Sequence, residues 1–470
     1  MINWATNLPD LKPKYLAIMQ LIKSLIQTDQ LLPGQRLPAE RQLAAWLQVD
    51  RSTVSRALAE LTTQGLLRKK RGSGTFVSQL PQLKPLTTTV NWQLMLHPTH
   101  STATAIRNQI AQAQGLDHGQ LIDGSRADLP TDLTPQLGQF TLDWQTHLDH
   151  QAQITATGDP ALLTTLSRHT DLFPQLDLSQ QTLMISGGAE QSLFLVLSSL
   201  LQPGDAVACV TPSYFNATAV FQTLDIRTYP VPLTTSHFDL DQLERTIRQH
   251  RVKLLLMNPT FENPTGETLT LTQRQQLLQL CQHYQLPIVE DDVFGWLVTD
   301  KAAMPPLKAL APANVIYISS LSKLLGPNTR IGWLIAPQAI GQRLLQVQKQ
   351  LDMVPSLLAQ EWVNLALNSP RFSQELTRVT TALTRRRAAV AAIFRQYRPE
   401  WRFTLPQGGF YLWVTQDDRD IFHKLLAQDI LVRPGTLFGA SRNAFRFNVA
   451  GMTPNRLTQL ADRLKALDPA

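Results

Sequence analysis

The sequence predicts a multi-domain protein. A winged helix-turn-helix covers residues 1–78 and a linker covers 79–119. Residues 120–470 form an α/β domain with a large, mostly parallel sheet and a smaller C-terminal α+β part. Three observations predict this. Two short helical patterns, split by a brief turn, run into a basic, glycine-containing hairpin. From about residue 120, short apolar runs alternate with helical patterns, as in βα units. The charge is uneven: residues 1–80 hold eleven bases and five acids, so +6 of the net +7 sits there. Such asymmetry points to a nucleic-acid-binding module on a nearly neutral partner.

In the N-terminal module, Leu16, Met19, Ile22, Leu25 and Ile26 recur at helical spacing. Leu32-Pro33-Gly34 then breaks the pattern. A helix over 39–47 turns Leu43, Ala44 and Leu47 inward, and Gln48-Val49-Asp50 makes a tight turn. A helix over 51–64 comes next, with Val54, Leu58 and Leu61 inward. Ser52 is the expected N-cap, leaving Thr53, Ser55 and Arg56 near an exposed first turn. The second helix of such a pair enters the major groove N-terminus first. Arg68-Lys69-Lys70-Arg71-Gly72-Ser73-Gly74 then reads as a hairpin wing whose cations lie along phosphates. The linker is polar and poor in charge, with one patch, Trp92 and Leu94-Met95-Leu96, expected to dock.

In the large domain the useful signal is the polar segment just after each apolar run. Thr182–Ile185 leads to Gly187-Gly188-Ala189-Glu190, Val207–Val210 to Ser213-Tyr214, and Leu254–Met257 to Asn263-Pro264-Thr265-Gly266. Pro287–Val289 leads to Glu290-Asp291-Asp292, and Val315–Ile318 to Ser319-Ser320-Leu321-Ser322-Lys323. Ligands of α/β sheets bind at the carboxyl ends of strands. Five ends carrying a glycine turn, an aromatic, an amide, a carboxylate and a lysine suit pyridoxal 5'-phosphate (PLP). A lysine amine forms a Schiff base, a carboxylate pairs with the pyridine nitrogen, and a helix start with an arginine holds phosphate.

Other classes are excluded. The longest apolar stretches, such as Leu193–Leu201, are far too short to span a bilayer. No signal peptide is expected. Cys209 and Cys281 give neither a disulfide framework nor a metal spacing, and a cytoplasmic protein is expected.

Two family resemblances rest on these residues. Leu37-Pro38-Ala39-Glu40-Arg41, Val49-Asp50-Arg51-Ser52-Thr53-Val54 and Gly72-Ser73-Gly74-Thr75-Phe76-Val77 resemble the winged helix of GntR-family regulators. The resemblance implies DNA contacts from Arg41, Arg51, Ser52, Thr53, Arg56 and the wing at Gly74. Asp50 departs from the serine common at its position. Residues 120–465 resemble fold-type I aminotransferases, which are PLP-dependent transferases. That resemblance implies Lys323 as the Schiff-base lysine and Ser320, Ser322, Arg330, Ala189 and Glu190 as the phosphate site. It implies Tyr214 stacked on the pyridine, Asn263 on the phenolic oxygen, Asp291 on the ring nitrogen with Asp292 as the fallback, and Arg446 as a carboxylate clamp.

Three departures accompany it. Val293 and Phe294 stand where a tyrosine usually donates to the phenolic oxygen. Ser125 or Arg126 stands near the position of a substrate-side glycine. No tyrosine lies near Gln153-Ile154, where one usually reaches the partner subunit. The combination resembles the MocR subgroup, which implies a homodimeric regulator that binds a double-stranded DNA operator and senses an amino acid, an amine or PLP. The alternative is a working aminotransferase of aromatic or 2-aminoadipate type that carries an accessory DNA-binding segment.

Overall fold

The computed structural model describes all residues except 1–3, 5–7, 10, 29, 71–72, 79–101, 118, 169–177, 235–236, 299–303, 352–354 and 468–470. The chain divides into two units, Met1–Thr99 and His100–Ala470. The patch at Trp92 and Leu94–Leu96 lies outside the described residues, as do Arg71 and Gly72 of the wing.

The first unit packs α1 (Lys14–Gln27), α2 (Glu40–Leu47) and α3 (Arg51–Thr63) around one apolar core that includes Ile18, Ile22, Leu43, Val54, Leu58 and Leu61. Leu16, expected inward, is 40% exposed, because the buried face of α1 runs through Ile18, Leu21, Ile22 and Leu25 instead. Gln48 closes α2 in the left-handed region at φ 51°, which lets α3 start soon after it. The N-cap of α3 is Asp50, with extended backbone and no side-chain cap, so the expectation for Ser52 is corrected. Ser52 sits inside the first turn and is exposed. Strands β1 (Leu67–Lys70) and β2 (Gly74–Val77) pair antiparallel, with Lys70 opposite Gly74.

In the second unit, α4 (Thr102–Gly115) occupies residues expected to be linker. That expectation is corrected for this stretch. Ala103, Ile106, Ile110 and Ala113 share a helical face and pack into the main core of the large unit. Strand β3 (Ile122–Asp123) comes next. The main sheet contains β4 (Gln181–Ser186), β5 (Ala206–Thr211), β6 (Arg227–Thr234), β7 (His237–Phe238), β8 (Leu254–Met257), β9 (Ile288–Asp291), β10 (Val315–Ser320) and β11 (Gly332–Pro337). Its order is β4-β11-β10-β9-β8-β5-β6-β7. From β10 to β6 the pairs are parallel; β11 runs antiparallel to both neighbours, and β7 folds back on β6. β8, β9 and β10 are buried at every residue, as strands covered on both faces must be.

The C-terminal part adds an antiparallel sheet in the order β12 (Tyr411–Thr415), β15 (Ala444–Asn448), β14 (Arg433–Pro434). Strand β13 (Ile430–Leu431) pairs in parallel with β3 and ties the start of this unit to its end. Among the described residues no helix is long and apolar enough to cross a membrane, and no cluster of His, Cys, Asp or Glu could hold a metal. Cys209 and Cys281 are free and buried.

Candidate functional site

Two surfaces carry chemistry, one in each unit. In the first, Arg41, Arg51, Ser52 and Arg56 are exposed, and Thr53 is half-buried at the start of α3. The Arg56 guanidinium lies 4.1 Å from the centre of the Tyr15 ring, so α1 steadies it without burying it. On the wing, Lys69 turns toward α2 and donates to Glu40 at 3.2 Å. Arg68 and Lys70, one residue to either side, take the opposite face of β1 and remain exposed. Gly74 has φ +110°, and a Cβ there would come within 2.9 Å of Arg36 Nε. The wing therefore needs glycine at this turn.

In the second unit the carboxyl ends of the strands open into a cavity of about 370 Å³. Ala189, Glu190, Tyr214, Asn263, Asp291, Ser320, Ser322, Lys323, Arg330 and Arg446 all line it, so the predicted set meets in one place. At one side is the start of α5 (Ala189–Leu200). Gly188 caps it at φ 105° with no side-chain cap, so first-turn N–H groups lack helical partners. A Cβ at Gly188 would sit 3.7 Å from the Arg330 guanidinium. Nearby, Ser320 Oγ donates to Ile331 O at 2.8 Å and lies 3.1 Å from Ser322 Oγ. Free N–H groups, a guanidinium and hydroxyls around a notch that a side chain would fill form an anion cradle. Gly332 keeps it in place, since a Cβ there would meet the Gly188 and Ser319 backbones at 2.8 Å.

Asp291 ends β9. Burial pushes its carboxyl up to about 7, and the N–H of Val293, donating at 3.3 Å, only partly offsets this. With Val293 N–H, the Tyr214 phenol and the charge of Lys323 beside it, a cavity-lining carboxylate at the end of β9 can also take a protonated pyridine nitrogen. The cavity residues therefore fit PLP. Asp292, the fallback, does not line the cavity. It accepts from Tyr317 Oη at 2.8 Å and packs on Gly295, as alternation along a strand requires.

Lys323 Nζ donates to Ala127 O at 2.6 Å. Burial, then the charge of Asp291, holds the Tyr214 phenol well above its ordinary value. Arg446 is buried: Nη1 donates to Asn263 Oδ1 at 2.7 Å, and Nη2 donates to the carbonyls of Ser125 and Arg126 at 3.0 Å. Its guanidinium lies 3.9 Å from the centre of the Tyr411 ring, and burial pushes it down to about 10.

The departures have structural consequences. Val293 and Phe294 both line the cavity, and Phe294 packs edge-on against Phe410 and Tyr411, so neither position presents a donor. Ser125 turns its hydroxyl to Asp123 at 2.6 Å, and the residues that reach the cavity are Ala127 and Asp128. Gln153, at the end of a helix, is exposed.

Sequence reasoning missed Arg433, Phe438 and the buried Glu262, and placed Asn258 at a strand end without giving it a role. Arg433, Phe438 and Asn258 line the cavity. Glu262 accepts from Ser213 Oγ at 2.8 Å and from Asn258 N at 3.2 Å, which joins the ends of β5 and β8. Burial holds its carboxyl well above the usual range. The available signal was Glu262 beside Asn263, an acid in the polar segment that follows the apolar run of β8.

Comparison with known proteins agrees in both units. Residues 141–464 match the family "Aminotransferase class I and II", and residues 14–77 match "Bacterial regulatory proteins, gntR family". The uncharacterized HTH-type transcriptional regulator YisV of Bacillus subtilis is 29% identical over 466 residues, covering 95% of this chain and 94% of its own. The HTH-type transcriptional regulator NorG of Staphylococcus aureus is 26% identical, covering 88% and 95%. Among solved structures, the kynurenine aminotransferase of Pyrococcus horikoshii, in complex with PMP, superposes with a TM-score of 0.68 at 22% identity, covering 81% of this chain and 98% of that one. The α-aminoadipate aminotransferase of Thermus thermophilus, complexed with N-(5'-phosphopyridoxyl)-L-leucine, superposes at 0.66 and 24% identity, covering 80% and 99%.

Proposed function

The chain belongs to the class I and II aminotransferase family and carries a GntR-family helix-turn-helix ahead of that domain, and on this premise we propose that it is a PLP-dependent transcription regulator of the MocR type. It senses an amino acid, an amine or PLP itself, and it acts in the cytoplasm as a homodimer on a double-stranded DNA operator with two half-sites. One observation carries the reading: Lys323, Asp291 and Arg330 line one cavity in a chain whose other unit exposes Arg41, Arg51 and Arg56.

The residues that would hold PLP are Ala189, Glu190, Ser320, Ser322 and Arg330 around its phosphate, Asp291 at the ring nitrogen, Tyr214 on the ring face and Asn263 at the phenolic oxygen. When bound, PLP supplies an aldehyde carbon that exchanges between the amine of Lys323 and the amine of an effector. Asp291 keeps its negative charge once a cation lies against it. Asn263 is oriented by Arg446, which takes its Oδ1 and leaves its amide N–H groups for the cofactor side. Arg446 would orient an effector carboxylate, a planar group that suits a guanidinium. Val293 and Phe294 offer no proton donor, which favours binding over rapid turnover. An effector acts on DNA only through different affinity for two states of the protein.

The aminotransferase fold of the solved relatives favours a second reading, a working aminotransferase of aromatic or 2-aminoadipate type. Both readings are tested on the full chain with PLP added. The regulator reading expects a visible absorbance band that borohydride bleaches, with the reduced cofactor recovered on the Lys323 peptide. It also expects no sustained turnover of amino acids with 2-oxoglutarate. Sustained turnover without any effect on DNA binding would establish the enzyme reading instead.

A further inference from the structure

The cavity contains a second guanidinium for which the reading above has no use. Arg433 on β14 and Arg446 on β15 are a direct antiparallel pair, so both side chains leave the same face of the sheet, and both line the cavity. Their situations differ. Arg446 has committed Nη1 to Asn263 and Nη2 to two carbonyls. Arg433 makes no hydrogen bond or ion pair with the described residues; Tyr411 and the charge of Asp123 favour its cation at longer range, and Arg107 opposes it. Burial pushes its guanidinium down. Around this pair three polar atoms are buried without a partner among the described residues: Arg433 Nε, Arg446 Nε and Tyr411 Oη.

Native interiors rarely leave such donors unmet, and an unpaired buried charge is more costly still. Two guanidinium groups that line the cavity, each with an unpartnered Nε, therefore mark where an acceptor group of a ligand belongs. The cofactor accounts for Arg330 through its phosphate and for Asp291 through its ring nitrogen. One effector carboxylate accounts for Arg446. Arg433, with a five-donor fork and no acceptor of its own, is left over.

We propose that Arg433 is a specificity residue that binds a second acidic group, so that the effector is an amino dicarboxylate or an amino acid with another distal acid. This rests on the effector reading above. A neutral side chain at this position would leave the half-buried Arg433 fork, with its buried Nε, without an acceptor, so the site discriminates against monocarboxylic amino acids more strongly than shape alone would.

The test uses the full chain loaded with PLP and two titrations. In the first, L-glutamate, L-2-aminoadipate and L-norleucine are titrated while the visible spectrum is followed. The dicarboxylates are expected to bind at least tenfold more tightly than norleucine. Arg433→Met should remove that preference by weakening the dicarboxylates and leaving norleucine within twofold; Arg433→Lys should retain part of it. Norleucine binding as tightly as the dicarboxylates, or Arg433→Met weakening all three equally, overturns the proposal. The second titration follows glutarate, which has no amine, by calorimetry. If amino compounds leave the spectrum unchanged but glutarate binds and Arg433→Met weakens it tenfold, the effector reading fails while the diacid site stands. If glutarate also fails to bind, or binds the variant equally, the diacid site fails as well.

Discussion

Asp291 shows how one residue links stability to ligand. Its carboxyl is pushed from 3.8 up to about 7 by burial. In the cofactor-free protein the folded state therefore keeps a proton that the unfolded state has already lost. Stability falls as the pH rises from about 4 through about 7, and the penalty persists above that. Asp291→Asn should raise the Tm of the cofactor-free protein at pH 8 and flatten its dependence on pH, while weakening PLP binding at least tenfold. A thermal melt across pH with and without PLP measures both. A variant less stable than the parent at pH 8 would mean that the contacts of Asp291 with Val293 N–H and the Tyr214 phenol outweigh the cost of its burial. The identity of Asp291 was legible because a strand pattern ended at Glu290-Asp291-Asp292. The choice between Asp291 and Asp292 became physical only when alternation sent Asp292 to Tyr317. Arg433 was not legible: nothing in Leu431-Val432-Arg433-Pro434 distinguishes a cavity-lining guanidinium from a surface one until β14 is paired with β15.

At the scale of elements, glycine turns and a basic hairpin carry the predictions. Gly332 lets β11 pass the backbone at the start of α5, and the nearest atoms to a new Cβ would all be backbone. Gly332→Ala should destabilise the large unit by about 3 kcal/mol through overpacking. It should also weaken PLP affinity, because the same contact sets the phosphate cradle; an unchanged melt would place the strands further apart than described. On the wing, Lys69 is engaged by Glu40, while Arg68 and Lys70, the latter 5.8 Å from the centre of the Phe76 ring, are exposed and carry no acidic partner among the described residues. Replacing Arg68 or Lys70 by Gln should lower the slope of log K against log salt by about 1 each. Lys69→Gln should change it less, as filter binding at several salt concentrations would record. The helix-turn-helix and the five strand ends were legible because local period and breakers determine them. The helix α4 was not, because its apolar face is written in Ala103, Ile106, Ile110 and Ala113, too sparse to stand out from a linker until it has a core to pack on. The cap of α3 was misplaced for a related reason: Asp50 has the extended backbone of a cap without the side-chain hydrogen bond that usually identifies one.

For the whole molecule, two features that the sequence keeps far apart are joined in one chain, a GntR-family helix-turn-helix and a cavity lined by Lys323. On the function proposed above, the cavity would take a cofactor and an effector, and the basic unit an operator. What links them is thermodynamic: a ligand that engages Lys323 must bind the DNA-competent and DNA-incompetent states with different affinity. A coupling of about 1–3 kcal/mol corresponds to a change in operator affinity of about 5- to 150-fold. The most direct measurement is an operator binding isotherm for the full chain with PLP, taken with and without L-glutamate, for the natural protein and for Lys323→Ala. Glutamate is predicted to shift operator affinity at least fivefold in the natural protein, while Lys323→Ala still binds operator but no longer responds. An equal response in the variant would contradict the coupling through Lys323.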